Sequence, residues 1–500
     1  MKSSYQIGQY AATPEQSAII DAALRGESFK VPAFAGASKT TTLKGVAEHL
    51  TFKRILYLAF NKAIADEARQ LFPHWVECRT AHSLAYRHLV QSSASYRDKL
   101  QRGGAFLPYQ DLETYSGKPQ DWRPFGRSRF QVNIAISETL NQFLNSADKQ
   151  VMEIHIPEAV MHWGKSVAAH LMTQFINQLL EFTNQLAQAM LDENSPCAMT
   201  HDAYLKAFQL KQPRLGYDII LLDEAQDTNP VLQAIVRRQS CQLIVVGDRH
   251  QEIYAWRNAV NSMDQLALKE YALTHSFRFG DNVAALANQL LRHLKETRLL
   301  VGLGQDELIN KGFSQAAPYA VMCRTNAKVF EVAEYCLKQG MSYHINGGLE
   351  QITRLIASAY GLYQGDRKAP RSPELSLFNS WQEFNEIAEE LNKSEWKTII
   401  KFVETHKEQT LKKIQQLGQS ASQLNQAHVF ISTVHKAKGL GFDQVVLASD
   451  FEWPEQKSPS YRESLNVIYV AITRAKRVLV LPKSLRRVFE AGDETRPGDQ

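Results

Sequence analysis

The chain has 500 residues, too many for a single hydrophobic core, and its 44% hydrophobic and 22% charged residues indicate a globular protein of about three or four lobes. A formal net charge of +5 permits a polyanionic partner without demanding one. No run approaches the roughly 18 apolar residues of a membrane span, and the N-terminus lacks the apolar core of a secretion signal. Five cysteines without a C-x-x-C pair indicate neither a zinc site nor a disulfide framework. Membrane and disulfide-rich secreted proteins are thereby excluded, and we expect a soluble, cytoplasmic protein in a reducing compartment.

The first predicted element is a helix from Ala12 to Leu24, with Thr13 as N-cap and Pro14 at its first position. The stretch that follows, Val31 to Leu43, reads V-P-A-F-A-G-A-S-K-T-T-T-L. An apolar run, then small residues, then helix formers predict a strand, a tight loop and a helix whose first N–H groups face a polyphosphate.

In this interpretation Lys39 reaches the β and γ phosphates and the Thr40 hydroxyl binds Mg²⁺. The usual pattern G-x-x-x-x-G-K-[ST] has glycines where this chain has Ala33 and Ser38, so a small-residue turn with a solvated lysine is the alternative. The loop residues predicted to contact nucleotide are Ala35, Gly36, Ala37, Ser38, Lys39, Thr40 and Thr41.

The next strand is predicted at Arg54 to Phe60 and is followed directly by a helical sequence, which indicates an α/β sheet. The pattern of the sequence then changes, and Ser92 to Phe130 is predicted as a loop with interleaved basic and aromatic residues. Such a segment suits a nucleic-acid backbone with stacked bases, or equally a solvated surface. A helix with one apolar stripe follows at His170 to Leu191, and we interpret that stripe as core.

Strands are next predicted at Tyr217 to Leu222 and Leu243 to Val246, and a second α/β region begins near Gly280. Its predicted strands are Tyr319 to Cys323, Val429 to Ser432, Gln444 to Ala448 and Arg477 to Leu481. Between a break at Lys368 to Pro373 and about Asn425 the chain is predicted to be helical, with one helix from Trp396 to Ile414. The interrupted order predicts two α/β domains, each with an insertion.

Two carboxylates, Asp223 and Glu224, follow the strand that ends at Leu222 in the sequence D-E-A-Q-D. A carboxylate at the carboxyl end of a sheet strand suits a Mg²⁺ ion shared with Thr40. Glu224 is then placed to accept a proton from the water that attacks the γ phosphate. The alternative is a charged helix start, where acidic residues complement the helix dipole.

Nine segments occur in a fixed order, and together they are more specific than any one of them. They are P-E-Q, A-F-A-G-A-S-K-T, L-A-F-N-K-A-I-A, T-A-H-S-L-A, D-E-A-Q-D, V-G-D-R-H-Q-E-I-Y-A-W-R, S-F-R, T-V-H-K-A-K-G-L and Y-V-A-I-T-R-A. This set resembles the UvrD/Rep group of superfamily 1 helicases. The segments F-N-K-A-I-A, R-T-N-A-x-x-F-E and N-V-I-Y-V-A-I-T-R-A-K are most similar to the F-box DNA helicase branch, although no F-box is evident.

The resemblance implies an α/β fold of two RecA-like P-loop NTPase domains with parallel sheets, each carrying a mainly helical insertion. The expected divisions are domain 1A at 1–90 and 205–279, insertion 1B at 91–204, domain 2A at 280–365 and 426–488, insertion 2B at 366–425, and a disordered tail at 489–500.

The resemblance also implies a role for each matched residue. ATP would lie between the two domains, with Gln16 reading adenine and Phe277 stacking on the base. Arg278 and Arg474 would reach the γ phosphate, and Gln251 would link that phosphate to the DNA-contacting segment. The residues implied to contact DNA are Phe60, Asn61, His82, Tyr254, Trp256, Arg257 and His435, although a lone Trp or His is more often a core or surface residue.

By the same resemblance, the implied function is an ATP- and Mg²⁺-dependent translocase on single-stranded DNA that unwinds duplex junctions with 3′ to 5′ polarity. Two positions depart from the family pattern: Ser38 replaces a glycine, and Gly441 replaces a glutamate that contacts the ribose. These departures motivate an alternative, a non-catalytic DNA-binding or scaffold protein. A motor that displaces proteins from DNA without unwinding shares every motif with the main hypothesis.

Overall fold

The computed structural model describes residues 5–493, with gaps at 106, 128, 163–168, 254–261, 306, 367–371, 373–374, 376–377 and 392. Tyr254, Trp256 and Arg257, which are predicted to contact DNA, lie outside the described residues, as does the segment 494–500. Among the helices of the described ranges, none has both the length and the apolar character that crossing a bilayer requires.

The first sheet is built from parallel strands that are separated by helices in the sequence. Its strands are β1 (Phe29–Pro32), β2 (Ile55–Ala59), β3 (Val76–Thr80), β4 (Ile219–Leu222), β5 (Gln242–Gly247) and β6 (Lys269–Glu270). They lie in the order β3-β2-β4-β5-β1-β6. Strands β1, β2 and β4 are buried along their whole length, because helices cover both faces of a parallel sheet.

The second sheet is also parallel. Its strands are β7 (Leu308–Ile309), β8 (Tyr319–Cys323), β9 (Tyr343–Ile345), β10 (Val429–Thr433), β11 (Phe442–Leu447) and β12 (Ala475–Val480). They lie in the order β7-β12-β11-β8-β10-β9. Two parallel sheets of six strands each, in the described part of the chain, confirm the predicted fold class and agree with two RecA-like domains.

Helices fill the connections, including the two long ones between β3 and β4 and between β9 and β10. Up to β6 the helices are Pro14–Leu24, Lys39–Glu48, Lys62–Leu71, Ala81–Ala85, Ala94–Arg102, Tyr109–Tyr115, Pro119–Trp122, Arg129–Leu144, Glu158–His162, Ala169–Leu191, His201–Leu210, Pro230–Arg237 and Ser262–Gln265. After β6 they are Asp281–His293, Asn326–Lys338, Glu350–Tyr363, Trp381–Glu390, Ser394–His406, Thr410–Ser420, Tyr461–Ile472 and Lys483–Asp493.

The segment from Ser92 to Phe130, predicted as a loop, is largely helical, and that prediction is wrong. Its aromatic residues Tyr96, Trp122 and Phe125 are buried, and the Trp122 ring lies edge-on to Phe175 with centroids 5.8 Å apart. The helices are short, so their apolar positions do not repeat often enough to reveal a helical period. These three rings pack in the core of the insertion and are not available to stack on bases.

Lys99 in the same segment is also a core residue. Its ammonium donates hydrogen bonds to the carbonyl oxygens of Ala189, Asp192 and Ser195, at 2.9, 2.6 and 3.1 Å. These carbonyls lie at and just beyond the C-terminal end of helix Ala169–Leu191, where unpaired carbonyls favour a cation. A buried lysine with three carbonyl partners binds its own chain and not a phosphate backbone.

Other differences concern where elements end. The single helix predicted from Trp396 to Ile414 is two helices, because Lys407 adopts a left-handed backbone with φ 45° between them. The predicted boundary at 204/205 lies inside helix His201–Leu210. The predicted tail at 489 begins too early, since helix Lys483–Asp493 continues through that residue and Phe489 is buried.

Candidate active site

The loop between β1 and helix Lys39–Glu48 forms one wall of the candidate site. Gly36 has φ +75°, and a Cβ there would lie 2.3 Å from Ser276 Oγ and 2.8 Å from Arg278 Cβ. Only glycine fits this close approach. Ser38 is the N-cap of the helix, but its side chain makes no capping hydrogen bond. The N-terminus of the helix thus has no side-chain cap, and such a terminus suits an anion.

Ser38 has φ 54° and ψ 41°, a left-handed backbone that costs a non-glycine residue about 1–2 kcal/mol. We expect Ser38→Gly to raise the free energy of unfolding by about 1 kcal/mol and to tighten nucleotide binding, because strain and side-chain bulk beside the phosphates are both removed. Urea unfolding and titration with a fluorescent ADP measure the two effects.

Lys295 offers a matched control, since it has φ 60° on an exposed turn after helix Asp281–His293. Lys295→Gly relieves a similar strain away from the phosphate loop and is expected to change stability alone. Equal stabilisation by both variants, with nucleotide affinity unchanged by Ser38→Gly, would show that the serine does not crowd the phosphates.

Thr40 and Asp223 meet at the carboxyl edge of the first sheet. The Thr40 hydroxyl donates to Asp223 Oδ2 at 3.0 Å, and the carboxylate is buried directly after β4. Among the described residues, no group of three or more His, Cys, Asp or Glu side chains is arranged to hold a metal ion. One hydroxyl and one carboxylate fit Mg²⁺, which commonly completes its shell with phosphate oxygens and water.

Both oxygens of the Asp223 carboxylate have hydrogen-bond partners. Tyr57 in β2 donates its hydroxyl to Oδ2 at 2.7 Å, and the Glu224 backbone N–H donates to Oδ1 at 2.8 Å. Burial raises the pKa of Tyr57 well above its ordinary value, and Asp223 raises it further, so the hydroxyl keeps its proton. Burial and the charge of Glu224 raise the pKa of Asp223, while Lys39 and Tyr57 oppose that shift.

Glu224 faces the lysine of the phosphate loop. Its backbone is left-handed at φ 50°, and its Oε1 lies 3.3 Å from Lys39 Nζ. Burial would raise the pKa of Glu224, but the ammonium groups of Lys39 and Lys438 lower it to about 2. Glu224 is therefore ionised at neutral pH, as a general base must be.

A second carboxylate, Asp248, follows β5 and connects the two domains. Its Oδ2 accepts hydrogen bonds from Gln251 Nε2 at 2.7 Å and from the Tyr469 hydroxyl at 3.2 Å. The same hydroxyl accepts from the backbone N–H of Ala35 at 3.0 Å. Tyr469 lies on helix Tyr461–Ile472 of the second domain, so that domain contacts both the phosphate loop and the partner of Gln251.

Lys438 makes a further connection between the domains. It lies after β10, forms a buried ion pair with Asp227 and donates to the Gln251 carbonyl oxygen at 2.7 Å. Burial raises the pKa of Asp227 to about 6, against the opposing charge of Lys438. Gln251 is therefore held at its side chain by Asp248 and at its backbone by the second domain.

The two predicted arginines lie at the same cleft, Arg278 beside the phosphate loop and Arg474 directly before β12 of the second domain. Arg278 lies beside the phosphate loop and donates to the carbonyl oxygens of Thr473 at 3.3 Å and Gly439 at 3.1 Å. Arg474 is fully buried and donates to the carbonyl oxygens of Val470 and Leu440, each at 2.9 Å. Burial and the charge of Arg278 lower the pKa of Arg474 well below its ordinary value.

The predicted base-binding residues differ in how accessible they are. Phe277 is 47% exposed, and its backbone N–H donates to the Gly36 carbonyl oxygen at 3.0 Å, so an uncovered ring lies beside the loop. Gln16 is buried, and its amide accepts from the Thr13 N–H and donates to the Thr42 hydroxyl. Both amide ends are occupied here, and adenine recognition by Gln16 stays a prediction.

The described residues predicted to contact DNA lie just after strand ends. Phe60 follows β2, His82 lies two residues after β3, and His435 lies two residues after β10. Asn61 caps helix Lys62–Leu71 by accepting the Ile64 N–H at 2.9 Å. The residues at the first sheet share its carboxyl edge, where ligands of α/β proteins bind. Their contact with DNA stays a prediction.

Gly441 lies beside Arg278. A Cβ at this position would be 3.1 Å from Lys476 Cε and 3.3 Å from Arg278 Nε. The space next to the arginine is thus narrow, and a glutamate would require both neighbours to shift.

Sequence reasoning missed four residues of this site: Tyr57, Asp248, Lys438 and Tyr469. Each lies within an apolar strand or within one of the nine matched segments. The sequence therefore shows where the residue stands in the chain but not which residue it contacts. The contacts of Tyr57, Lys438 and Tyr469 join residues separated by 166 to 434 positions, which no local pattern indicates.

The chain matches two family models and several known helicases. The model of the UvrD-like helicase C-terminal domain matches residues 137–485, and that of an AAA domain matches residues 16–257. F-box DNA helicase 1 of Gallus gallus is 31% identical over 98% of this chain and 51% of its own length. F-box DNA helicase protein 1 of Schizosaccharomyces pombe is 30% identical over 95% of this chain and 58% of its own length. DNA helicase II of Escherichia coli is 27% identical over 31% of this chain and 26% of its own length.

The chain spans about half the length of the two F-box helicases that it matches. The UvrD-like model alone covers more than half of the chain and includes both predicted arginines, Arg278 and Arg474. The chain belongs to the UvrD-like helicase family.

Proposed function

We propose that this chain is an ATP-dependent DNA helicase that moves 3′ to 5′ along single-stranded DNA and separates the duplex at a junction. The observation that carries the proposal is the cleft itself. Lys39 and Glu224 of the first domain face each other there, and Arg278 extends from beside the phosphate loop to carbonyls of the second domain. The names of the relatives support DNA as the substrate.

Each side chain has a role that its surroundings favour. Lys39 binds the β and γ phosphates, because it is a partly buried cation at the start of the helix that follows the phosphate loop. Glu224, held ionised by Lys39, accepts the proton of the attacking water. Gln251 positions the γ phosphate through the amide that Asp248 now holds.

Arg278 and Arg474 stabilise the negative charge that develops on the transferred phosphoryl group. Both bind backbone carbonyls in this structure, so each must exchange those partners for phosphate oxygens. The exchange by Arg278 links hydrolysis to movement of the domains, since its partners Gly439 and Thr473 precede β11 and β12 of the second domain.

Thr40 and Asp223 would hold Mg²⁺, which would neutralise phosphate charge. Coupling to DNA passes through residues on both sides of the cleft. Gln251 precedes the segment with Tyr254, Trp256 and Arg257, and Lys438 follows His435 by three positions. A change at the γ phosphate thus reaches two predicted DNA-contacting segments through the contact between Gln251 and Lys438.

The test is ATP turnover with and without single-stranded DNA, followed by strand separation on duplexes with a 3′ or a 5′ tail. We expect turnover to rise several-fold with DNA, and separation to require the 3′ tail. DNA binding without any turnover would identify a non-catalytic DNA-binding protein. DNA-stimulated turnover that removes a bound protein but never separates strands would identify a displacing motor.

A further inference from the structure

Tyr57 is an unusual residue for its position. It lies in the middle of β2, where Ile55, Leu56, Leu58 and Ala59 are all apolar and buried. A hydroxyl placed in such a core is costly unless it has a hydrogen-bond partner. The ring itself is well packed, with its centroid 4.6 Å from that of Phe72. Phenylalanine would fill the same volume, so packing alone does not account for the hydroxyl.

The hydroxyl is directed at the carboxylate that the proposed function assigns to the metal. It donates to Asp223 Oδ2 at 2.7 Å, and the Thr40 hydroxyl donates to the same oxygen at 3.0 Å. The other oxygen accepts the backbone N–H of Glu224 at 2.8 Å. Of these three donors, only Tyr57 comes from a neighbouring strand, since β2 pairs with β4 in the register Tyr57↔Leu221.

This geometry restricts the carboxylate more than a single partner would. One donor leaves a carboxylate free to rotate about its Cβ–Cγ bond, whereas donors to both oxygens from different elements fix the plane of the group. Hydrogen bonds to an ionised acceptor are about twice as strong as neutral ones. Partners of this kind, one step removed from the metal, orient the ligand and increase metal affinity.

We propose that Tyr57 is a positioning residue that orients Asp223 for the divalent cation of the bound nucleotide. The inference rests on the proposed function, because it requires a cation at Thr40 and Asp223. Tyr57 itself does not touch the cation or the phosphates. It acts through Asp223 Oδ2, the oxygen that also accepts the Thr40 hydroxyl.

The test compares the chain with its Tyr57→Phe variant, using Mn²⁺ as the probe and ADP as the nucleotide. We expect Mn²⁺ affinity in the presence of ADP, measured by electron paramagnetic resonance, to fall about ten-fold. Binding of ADP in EDTA should be unchanged, and high Mg²⁺ should restore ATP turnover. Phenylalanine retains the packing on Phe72, and the melting temperature reports whether the fold is intact.

Tyr343→Phe is the matched control, since it removes another buried hydroxyl, one that donates to the Leu417 carbonyl oxygen at 2.9 Å in the second domain. It should lower stability without changing Mn²⁺ affinity. Combining Tyr57→Phe with Asp223→Asn tests the route of the effect, because a residue that acts through Asp223 has no further effect once the carboxylate is gone.

Mn²⁺ affinity of Tyr57→Phe within two-fold of the unmodified chain would overturn the inference, as would an undiminished effect in the Asp223→Asn background. The proposed function would stand in both cases, since the unmodified chain would still bind Mn²⁺ and ADP together and hydrolyse ATP. Failure of the unmodified chain to do either would instead refute the proposed function.

Discussion

Glu224→Gln is expected to lower kcat for ATP hydrolysis by about 10²–10⁴-fold while the chain still binds nucleotide and single-stranded DNA. Glutamine has the size of glutamate and keeps a polar contact for Lys39, which lies 3.3 Å from Oε1. It cannot accept a proton. Losing a negative charge beside the phosphates should, if anything, favour ATP, so reduced turnover would not arise from reduced binding.

The pKa of Glu224 sharpens this expectation. Burial opposes ionisation, but Lys39 and Lys438 lower the pKa to about 2, so the carboxylate is ionised between pH 6 and pH 8. Acidification from pH 8 to pH 6 should leave this base ionised. A fall in kcat over that range must therefore come from another group, and it should persist in the residual activity of Glu224→Gln.

Steady-state turnover measures kcat, and titration with a fluorescent ATP analogue measures nucleotide affinity separately. Glu307→Gln is a suitable control, because Glu307 is a buried carboxylate that accepts the N–H groups of Gly280 and Val283 near the start of helix Asp281–His293. That variant should lose stability and retain kcat. Retention of kcat within three-fold by Glu224→Gln would show that another group accepts the proton.

The sequence predicts the parts of this site that depend on neighbouring residues. Thr13 and Pro14 mark the start of the first helix, and the structure begins it at Pro14 with Thr13 as its cap. Strand β8 has the predicted bounds, Tyr319–Cys323. Caps and uninterrupted apolar runs are local signals, so a chain read in order reveals them.

Contacts between distant segments could not be predicted in the same way. Tyr57 in β2 contacts Asp223 at the end of the adjacent strand β4, and Tyr469 contacts Asp248 from the other domain. Each of these residues has an equally good local interpretation as core. The prediction of a loop from Ser92 to Phe130 was wrong for a related reason. Burial of Trp122 depends on helix Ala169–Leu191, which lies far along the chain.

Arg474→Ala is expected to reduce kcat by about 10³–10⁵-fold, the effect of removing an arginine that stabilises a transferring phosphoryl group. In this structure the guanidinium is fully buried and holds the carbonyl oxygens of Val470 and Leu440. Its removal therefore has two consequences, lost catalysis and a Leu440 carbonyl oxygen without this donor, whereas the Val470 carbonyl oxygen still accepts the Thr473 hydroxyl at 3.1 Å. The second lowers stability by about 1–3 kcal/mol for each group left unsatisfied.

Arg474→Lys separates the two consequences. Lysine keeps the positive charge but lacks the planar fork of donors, so it can satisfy one carbonyl while losing the paired geometry at the phosphate. We expect this variant to unfold at nearly the original temperature and still to lose most of kcat. Turnover, melting temperature and affinity for single-stranded DNA are measured on the same preparations of both variants.

Arg324→Lys provides the comparison within the same domain, since Arg324 donates to the Ser464 hydroxyl at 2.9 Å and lies partly buried next to β8. It should leave kcat unchanged. Should Arg474→Lys behave like Arg324→Lys, with full turnover, Arg474 would be a structural residue of the β11 and β12 region. Arg278 would then be the arginine that serves the γ phosphate, and Arg278→Lys would have to show the loss instead.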